Sequence, residues 1–241
     1  FEKLNPIKPN IFFIPRDNSN SELYNRGFST HKVFTINSTG IQTSRDAFVI
    51  DFNKKTLLER INDFADINKT DQEVRIKYFS HKTSSKYKMG DTRGWKIEKA
   101  RQELQDMDIE AQLQEVSYRP FDKRFLFYSD SMVDWTRRNV MFHLQNKDNY
   151  SLLIPRQLAE NDFYHVLVEK KISEMCVISN KTKEQNVVFP LYLYPEKDTQ
   201  TELLESKERQ TRTPNLDPKI VADIAKGIGL TFTNEKEDTA G

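Results

Sequence analysis

The sequence predicts a mixed fold of the α+β class, and three observations support this prediction. A chain of 241 residues that is 37% hydrophobic can bury a sizeable core. Amphipathic helical patterns come first, at 53–65, 70–79 and 96–107. Apolar runs that suit strands follow them, at 116–128, 150–168 and 175–195. We therefore expect a twisted sheet with helices packed around it.

Residues 1–15 are predicted to be extended, and short strands are predicted at 11–14, 33–36 and 48–52. Between the last two runs lies the hydroxyl-rich segment 37–46, NSTGIQTSRD. Two interpretations stay open for this segment. One is a plain hairpin loop. The other is a polar finger whose Thr43, Ser44 and Arg45 contact a phosphate or a base edge.

Local signals mark the ends of several helices. Asn53 is a good N-cap for the first helix, and Thr70 has capping-box spacing to Glu73 for the second. Near the C-terminus, Asp217 precedes Pro218, which is favoured at the first position of a helix. Ordinary amphipathic packing accounts for the apolar positions of these helices, which indicates a structural scaffold.

The predicted elements divide the chain into two parts. Residues 1–196 form the first, with a helical scaffold at about 53–107 and a sheet-rich core at about 111–196. Residues 197–241 combine a charged linker with the C-terminal helix. Because the chain begins with phenylalanine and not methionine, we expect it to be cut from a longer protein.

Composition limits the classes of function. The net charge is only +1, so any surface that attracts nucleic acid must be a local one. A single cysteine excludes a disulfide framework and a zinc site with several cysteines. No apolar stretch is long enough to span a membrane, and no signal-peptide pattern is present. We therefore expect a cytoplasmic protein.

The most informative stretch is 118–144, YRPFDKRFLFYSDSMVDWTRRNVMFHL, in which aromatic and basic residues interleave. Such a pattern on rigid elements is typical of surfaces that read a DNA groove. Thr136 is a suitable N-cap, which would place Arg137 and Arg138 in the first turn of a helix, the unfavourable end of its dipole. A bound phosphate would offset that cost. The alternative is that both arginines pair with Asp130 and Asp134.

The other candidate contacts are also cationic. Arg119 and Arg124 flank a turn set up by Pro120, and arginine is the usual bidentate partner of guanine. A structural alternative pairs Arg119 with Asp122 across the turn. Loop positions after predicted strands supply three further candidates: Arg156, Lys181 and Lys183.

Signals for an enzyme are weak. Asp162, Glu169 and Lys171 loosely match the pattern of a metal-dependent nuclease, but a chain so rich in Glu and Lys produces this spacing by chance. The four histidines lack metal-ligand spacing, and no glycine-rich phosphate loop occurs. We therefore predict no catalytic residue and no metal site in this chain.

Several segments, taken in order, resemble one known family: YNRGF at 24–28, GIQTSRDAFVIDFNKK at 40–55, DTRGWK at 91–96, YRPFDKRFLFY at 118–128, the predicted helix that carries Arg137 and Arg138, SNKT at 179–182 and FPLYLYP at 189–195. They are similar to the C-terminal specificity region of single-polypeptide (Type ISP-like) restriction–modification enzymes and related adenine-specific methyltransferases. The resemblance implies a parent with nuclease, helicase and methyltransferase parts upstream. It also implies S-adenosylmethionine, magnesium and ATP as cofactors of that parent, and none for this chain.

Together these observations predict a domain that binds double-stranded DNA and supplies sequence specificity to a methyltransferase and endonuclease. Arg137 and Arg138 are the predicted phosphate contacts. The predicted base readers are four arginines: Arg45, Arg119, Arg124 and Arg156. Two alternatives from other classes are the nuclease centred on Asp162, Glu169 and Lys171, and a protein-interaction scaffold that binds no DNA.

Overall fold

The computed structural model of the protein describes residues 25–157, 165–179, 181, 184–195 and 212–233. These residues form two compact units: one within 36–215, and a smaller one made of 25–35 and 216–233. Helices and sheets are both present, so the predicted α+β class is confirmed. The predicted strand at 11–14 and most of the predicted linker lie outside the described residues.

The helices of the described residues are α1 (Thr30–Val33), α2 (Asp46–Val49), α3 (Lys54–Ala65), α4 (Asp71–Phe79), α5 (Ile97–Glu103), α6 (Arg138–Met141) and α7 (Pro218–Ile228), with a 3-10 turn at Glu110–Gln112. The predicted caps of α3 and α4 are confirmed. The Asn53 side chain accepts hydrogen bonds from two backbone N–H groups at the start of α3. Thr70 and Glu73 form a reciprocal capping box at the start of α4.

The strands of the described residues are β1 (Ser38–Thr39), β2 (Ile50–Asp51), β3 (Leu113–Arg119), β4 (Asp122–Phe127), β5 (Ser151–Pro155), β6 (Leu167–Glu169), β7 (Ile172–Ser173), β8 (Asn186–Pro190), β9 (Tyr192–Leu193) and β10 (Thr213–Pro214). They form a sheet in the order β1-β8-β5-β6, a second sheet in the order β2-β4-β3-β7, and a two-stranded ribbon of β9 and β10. The first sheet is antiparallel, whereas β3 pairs with β7 in parallel.

The structure corrects three of the predicted elements. The expected single sheet is two four-stranded sheets. The predicted strand at 33–36 is the end of α1 followed by bends. The predicted strand at 175–178 is irregular, because its backbone bonds go elsewhere: Met175 N donates to Ile41 O at 2.9 Å, and Val177 N donates to the side-chain oxygen of Asn186 at 2.9 Å.

An aromatic cluster lies at the centre of the larger unit. The ring of Phe48 lies 5.1 Å from that of Phe64 and 5.0 Å from that of Phe79, centroid to centroid. Trp95 packs on Phe79 at 5.6 Å. All four rings are buried, and aliphatic side chains from α3, α5, β3 and β4 complete the core around them. The predicted packing faces of these helices therefore form a scaffold, as expected.

The buried side chain of Arg75 connects α4 to the segment that leads into α5 through hydrogen bonds. The Arg75 guanidinium donates to Asp91 at 2.8 Å and to Glu98 at 2.7 Å. The Glu98 carboxylate also accepts a hydrogen bond from Lys88 Nζ at 2.9 Å. The hydrogen bond from Lys88 and, with it, that from Arg75 lower the pKa of the Glu98 carboxyl from 4.5 to about 2.

This depressed pKa predicts acid sensitivity. Glu98 contributes stability above pH 4.5, and that contribution is lost as the pH falls toward 2. We expect the urea midpoint of the unsubstituted chain to fall more steeply over this window than that of Glu98→Gln. Because the Glu98 side chain is 38% exposed, the difference will be modest. Parallel pH profiles for the two proteins would contradict the prediction.

The smaller unit contains α1 and α7. The Asp217 side chain caps α7 by accepting from Lys219 N and Ile220 N, and Gly229 ends the helix with φ 71°, as its sequence predicts. Among the described residues, the expected burial of its apolar face is not seen at Ile224, which is 46% exposed, or at Ile228, which is 64% exposed. No helix in the described ranges has the length and apolar character that a membrane crossing needs.

Candidate nucleic-acid interface

The loop at 40–46 connects the segments that carry the predicted contacts. Gln42 forms an antiparallel bridge with Trp135, through backbone bonds of 3.1 and 3.0 Å. Ile41 forms a parallel bridge with Glu174. The loop is therefore adjacent both to the Arg137 segment and to the carboxylate that binds Arg119. These bridges bring the 40–46 loop, the Trp135 segment and the Glu174 segment next to one another although they are far apart in sequence.

Gly40 allows the loop to approach the backbone of Glu174 and Met175 closely. A Cβ atom at this position would lie 2.5 Å from the carbonyl oxygen of Glu174 and 2.6 Å from the Cα of Met175. Both are backbone atoms, which cannot move aside as the end of a flexible side chain can. The absence of a side chain at Gly40 is therefore needed for the bridge at Ile41.

We expect Gly40→Ala to lower the free energy of unfolding by about 1–3 kcal/mol, the usual cost of forcing an extra carbon into a packed site. The measurement is chemical denaturation. Gly94→Ala is the matched control, because a Cβ there would meet no heavy atom within 4 Å. Equal stability of the two variants would contradict the role given to Gly40.

The structure places two of the predicted contact residues in the interior. Arg45 is 4% exposed and its guanidinium donates to Asp134 at 2.6 Å and to the carbonyl oxygen of Met132, while it stacks on Trp95 at 4.2 Å. Burial lowers the pKa of Arg45, and the bond to Asp134 opposes that shift. Thr43 is 1% exposed and bonds within the loop. Both side chains brace the surface and are not available to a ligand.

Arginine and aromatic side chains alternate at one end of the second sheet. The Cζ of Arg124 lies 4.0 Å from the ring centroid of Phe52 and 4.2 Å from that of Tyr118. The Cζ of Arg119 lies 3.9 Å from the same Tyr118 ring centroid. The register that pairs Val116 with Arg124 places these side chains together. Such stacking holds guanidinium groups in fixed orientations.

Carboxylates fix these two arginines further, but not in the predicted pairing. Asp122 accepts two bonds from Arg124, from Nε at 3.0 Å and from Nη2 at 2.7 Å. Arg119 donates from Nη1 to Glu174 at 2.8 Å. The alternative that paired Arg119 with Asp122 is therefore wrong. Burial raises the pKa of the Glu174 carboxyl, against the opposing effects of the Cys176 N–H and of Arg119.

Arg137 and Arg138 have different environments. Arg138 donates to Asp130 at 2.7 Å, so the pairing alternative holds for this residue. Arg137 stacks on Trp135 at 4.7 Å, its Nε is buried without a partner, and no ion pair to it occurs within the described residues. Arg137, not Thr136, precedes α6, which is a single turn. A helix N-terminus therefore does not account for a phosphate contact here.

Backbone strain is concentrated at this surface. In the described part of the chain, four residues other than glycine have positive φ, and three of them are Ser44 at 60°, Phe121 at 61° and Arg137 at 55°. Each lies in one of the segments described above. Holding a residue other than glycine in this region costs about 1–3 kcal/mol, and such residues cluster at functional sites.

The remaining predicted contacts lie on loops. Ser44 is exposed, and its carbonyl oxygen accepts from Lys82 Nζ at 3.0 Å. Arg156 and Lys181 are also exposed. Lys183 lies outside the described residues.

The tip of the β3–β4 hairpin was not predicted as a contact. Phe121 is 90% exposed there, beside the exposed Lys123. The sequence held one signal that could have identified it, an aromatic residue in a two-residue turn between basic positions. A bulky apolar side chain in a turn is usually a core anchor, so this signal is easily misread.

The described residues give no support to the nuclease alternative. The Glu169 side chain accepts from Ser117 at 2.8 Å, and Lys171 Nζ pairs with Glu115 at 2.5 Å. Asp162 lies outside the described residues. Within the described ranges, no three His, Cys, Asp or Glu side chains are grouped so that they could hold a metal ion.

Comparison with known proteins gives a family match. The family described as the Type ISP C-terminal specificity domain matches residues 32–239. A search of curated proteins found no match.

Solved structures give matches to the fold. The ATP-dependent Type ISP restriction–modification enzyme LlaBIII bound to DNA is similar with a TM-score of 0.59 and 16% identity, over 91% of this chain and 14% of that one. A nuclease-deletion mutant of the Type ISP enzyme LlaGI in complex with a DNA substrate mimic gives 0.54 and 17%, over 94% and 18%. The DrdV–DNA complex gives 0.54 and 15%, over 82% and 18%. The chain spans less than a fifth of each of these proteins.

Proposed function

The chain belongs to the Type ISP C-terminal specificity domain family, and we propose that it binds double-stranded DNA and reads its sequence for a restriction–modification enzyme. The observation that carries this proposal is the surface organised by the loop at 40–46. It joins the stacked Arg119 and Arg124 to Arg137, on elements that hold each guanidinium in place. The solved proteins that share the fold are complexes with DNA, which supports the same proposal.

Arg119 is the proposed base reader. Only its Nη1 is committed to partners among the described residues, which leaves Nε and Nη2 as a pair of parallel donors. Such a pair fits O6 and N7 of guanine in the major groove. Arg124 already gives Nε and Nη2 to Asp122, so it has no free pair and would act through one donor or by orienting Tyr118. Arg156 stays a second candidate because it is exposed.

Arg137 is the proposed phosphate contact. Its charge has no carboxylate partner within the described residues, and the exposed Trp135 supports it from one side. Phosphate contacts position a protein on the duplex without reading its sequence. Arg138 contributes less, since Asp130 already neutralises it.

The proposal also covers the parent protein. We infer that methyltransferase and nuclease or helicase domains of the same polypeptide act on the site that this domain selects. S-adenosylmethionine, magnesium and ATP would then serve those domains. The expected cytoplasmic location belongs to this proposal as well and stays a prediction.

Selection of duplexes from a random pool, with the 241-residue chain as bait, tests the proposal. We expect one enriched sequence. Arg119→Ala and Arg119→Lys should both relax a single position of it, since lysine cannot make a bidentate contact, at about 1–3 kcal/mol of discrimination. Lys55→Ala, on the exposed face of α3, is the control. Enrichment of no sequence by the unsubstituted chain would contradict the proposal.

A further inference from the structure

Phe121 occupies an unusual position at the tip of the β3–β4 hairpin. It is 90% exposed, more than any other exposed large hydrophobic side chain among the described residues. Its backbone has φ 61°, a conformation that glycine or asparagine adopts more readily in a turn. Phe121 therefore carries two free-energy costs, one from its positive φ and one from the exposure of its apolar ring to water. A partner that buries the ring would offset both costs.

The hairpin is rigid enough to direct this ring. β3 and β4 pair from Leu113 and Phe127 at one end to Arg119 and Asp122 at the other. The pair of hydrogen bonds between Asp122 and Arg124 braces the strand immediately after the turn. Only two residues separate the strands, so the ring has little freedom apart from its own side-chain rotation.

The charges around the ring indicate the kind of partner. Lys123 is exposed and forms no ion pair with the described residues, and Arg119 and Arg124 lie on the paired strands below it. Asp122 is neutralised by Arg124. An exposed aromatic ring beside an exposed lysine is complementary to a base flanked by a phosphate. A protein partner would instead be expected to meet a wider apolar surface.

We propose that Phe121 is a wedge that enters the base stack of duplex DNA at one step, with Lys123 on a neighbouring phosphate. The inference rests on the proposed DNA-binding function and adds a deformation of the duplex to it. Proteins that insert apolar side chains between base pairs unstack them and bend the helix. Specificity would then depend partly on how easily the step opens, at positions that Arg119 does not contact.

The test uses the duplex recovered by selection, with 2-aminopurine placed at successive positions, and the 241-residue chain. Binding of the unsubstituted chain should raise 2-aminopurine fluorescence at one step. Phe121→Ala and Phe121→Gly should abolish that rise and weaken binding by roughly 5- to 150-fold, the range measured for loss of one base–aromatic contact. Phe121→Tyr should restore both. Because the ring is exposed, thermal melts of these variants should stay close to the original, and Phe121→Gly relieves the strained φ.

Ile67→Ala is the matched control, since it removes a 76% exposed apolar side chain from the α3–α4 connection. It should leave fluorescence and affinity unchanged. The wedge is wrong if the chain binds the duplex but 2-aminopurine fluorescence rises at no position. It is also wrong if Phe121→Ala raises that fluorescence as much as the unsubstituted chain does. In both cases the proposed function stands. If the chain binds no duplex at all, the proposed function itself fails.

Discussion

Replacing Arg45 with alanine is expected to lower the free energy of unfolding by about 3 kcal/mol. Removing one partner of a buried ion pair typically costs about 3–5 kcal/mol, because the other charge stays behind. Here Asp134 is 31% exposed, so water relieves part of that cost and the lower end of the range applies. The variant also loses the stacking of the guanidinium on Trp95 and leaves the carbonyl oxygen of Met132 without its donor.

The same substitution should weaken DNA binding although Arg45 itself is buried. Arg45 ties the loop at 40–46 to Asp134, next to the bridge between Gln42 and Trp135. Loss of this tie would free Arg137 from its position beside Trp135. Denaturation and DNA titration of Arg45→Ala measure the two effects. Asp134→Asn is the control, since it keeps the stacked guanidinium and its bond to Met132 and should cost less stability. A fully stable Arg45→Ala would contradict the bracing role.

Local elements of this fold are predictable from sequence because their causes are local. Asn53, Thr70 and Asp217 cap helices at the positions that their side chains specify. The pairing of β3 with β4 likewise follows from two apolar runs joined by a turn at Pro120. The division into two sheets was not predictable in this way. It depends on which distant strands pair, and the apolar pattern of a strand does not specify its neighbour.

The ion-pair partners of the arginines were likewise not predictable from the sequence. From the sequence, Arg45 was a candidate for a base contact, whereas its position under Met132 and beside Trp95 makes it part of the core. Arg119 pairs with the carboxylate of Glu174, and not with that of Asp122 three residues away. Charge pairs form between residues that tertiary structure brings together, so spacing along the chain does not predict them. Aromatic and basic side chains do stack within the stretch from 118 to 144, as their interleaving in the sequence indicates, and its contact with DNA stays a prediction.

The double variant Lys123→Ala/Arg137→Ala is expected to weaken DNA binding about thirtyfold at physiological salt. Neither cation has a carboxylate partner among the described residues, so each is free to hold a phosphate. Each lost phosphate contact removes roughly 0.9 from the slope of log affinity against log salt, so the slope should shrink by nearly two. The loss should be about equal for the selected sequence and for unrelated duplexes, because phosphates carry no sequence.

Lys55→Ala/Lys99→Ala is the matched control for this prediction. It removes the same net charge from exposed positions on α3 and α5, where both lysines pair with glutamates of their own helix. The control should leave the salt slope nearly unchanged, which separates a specific phosphate contact from a general loss of positive charge. Thermal melts should show all of these variants folded. If the two double variants reduce the slope equally, net charge and not position explains binding, and the phosphate assignment of Lys123 and Arg137 is wrong.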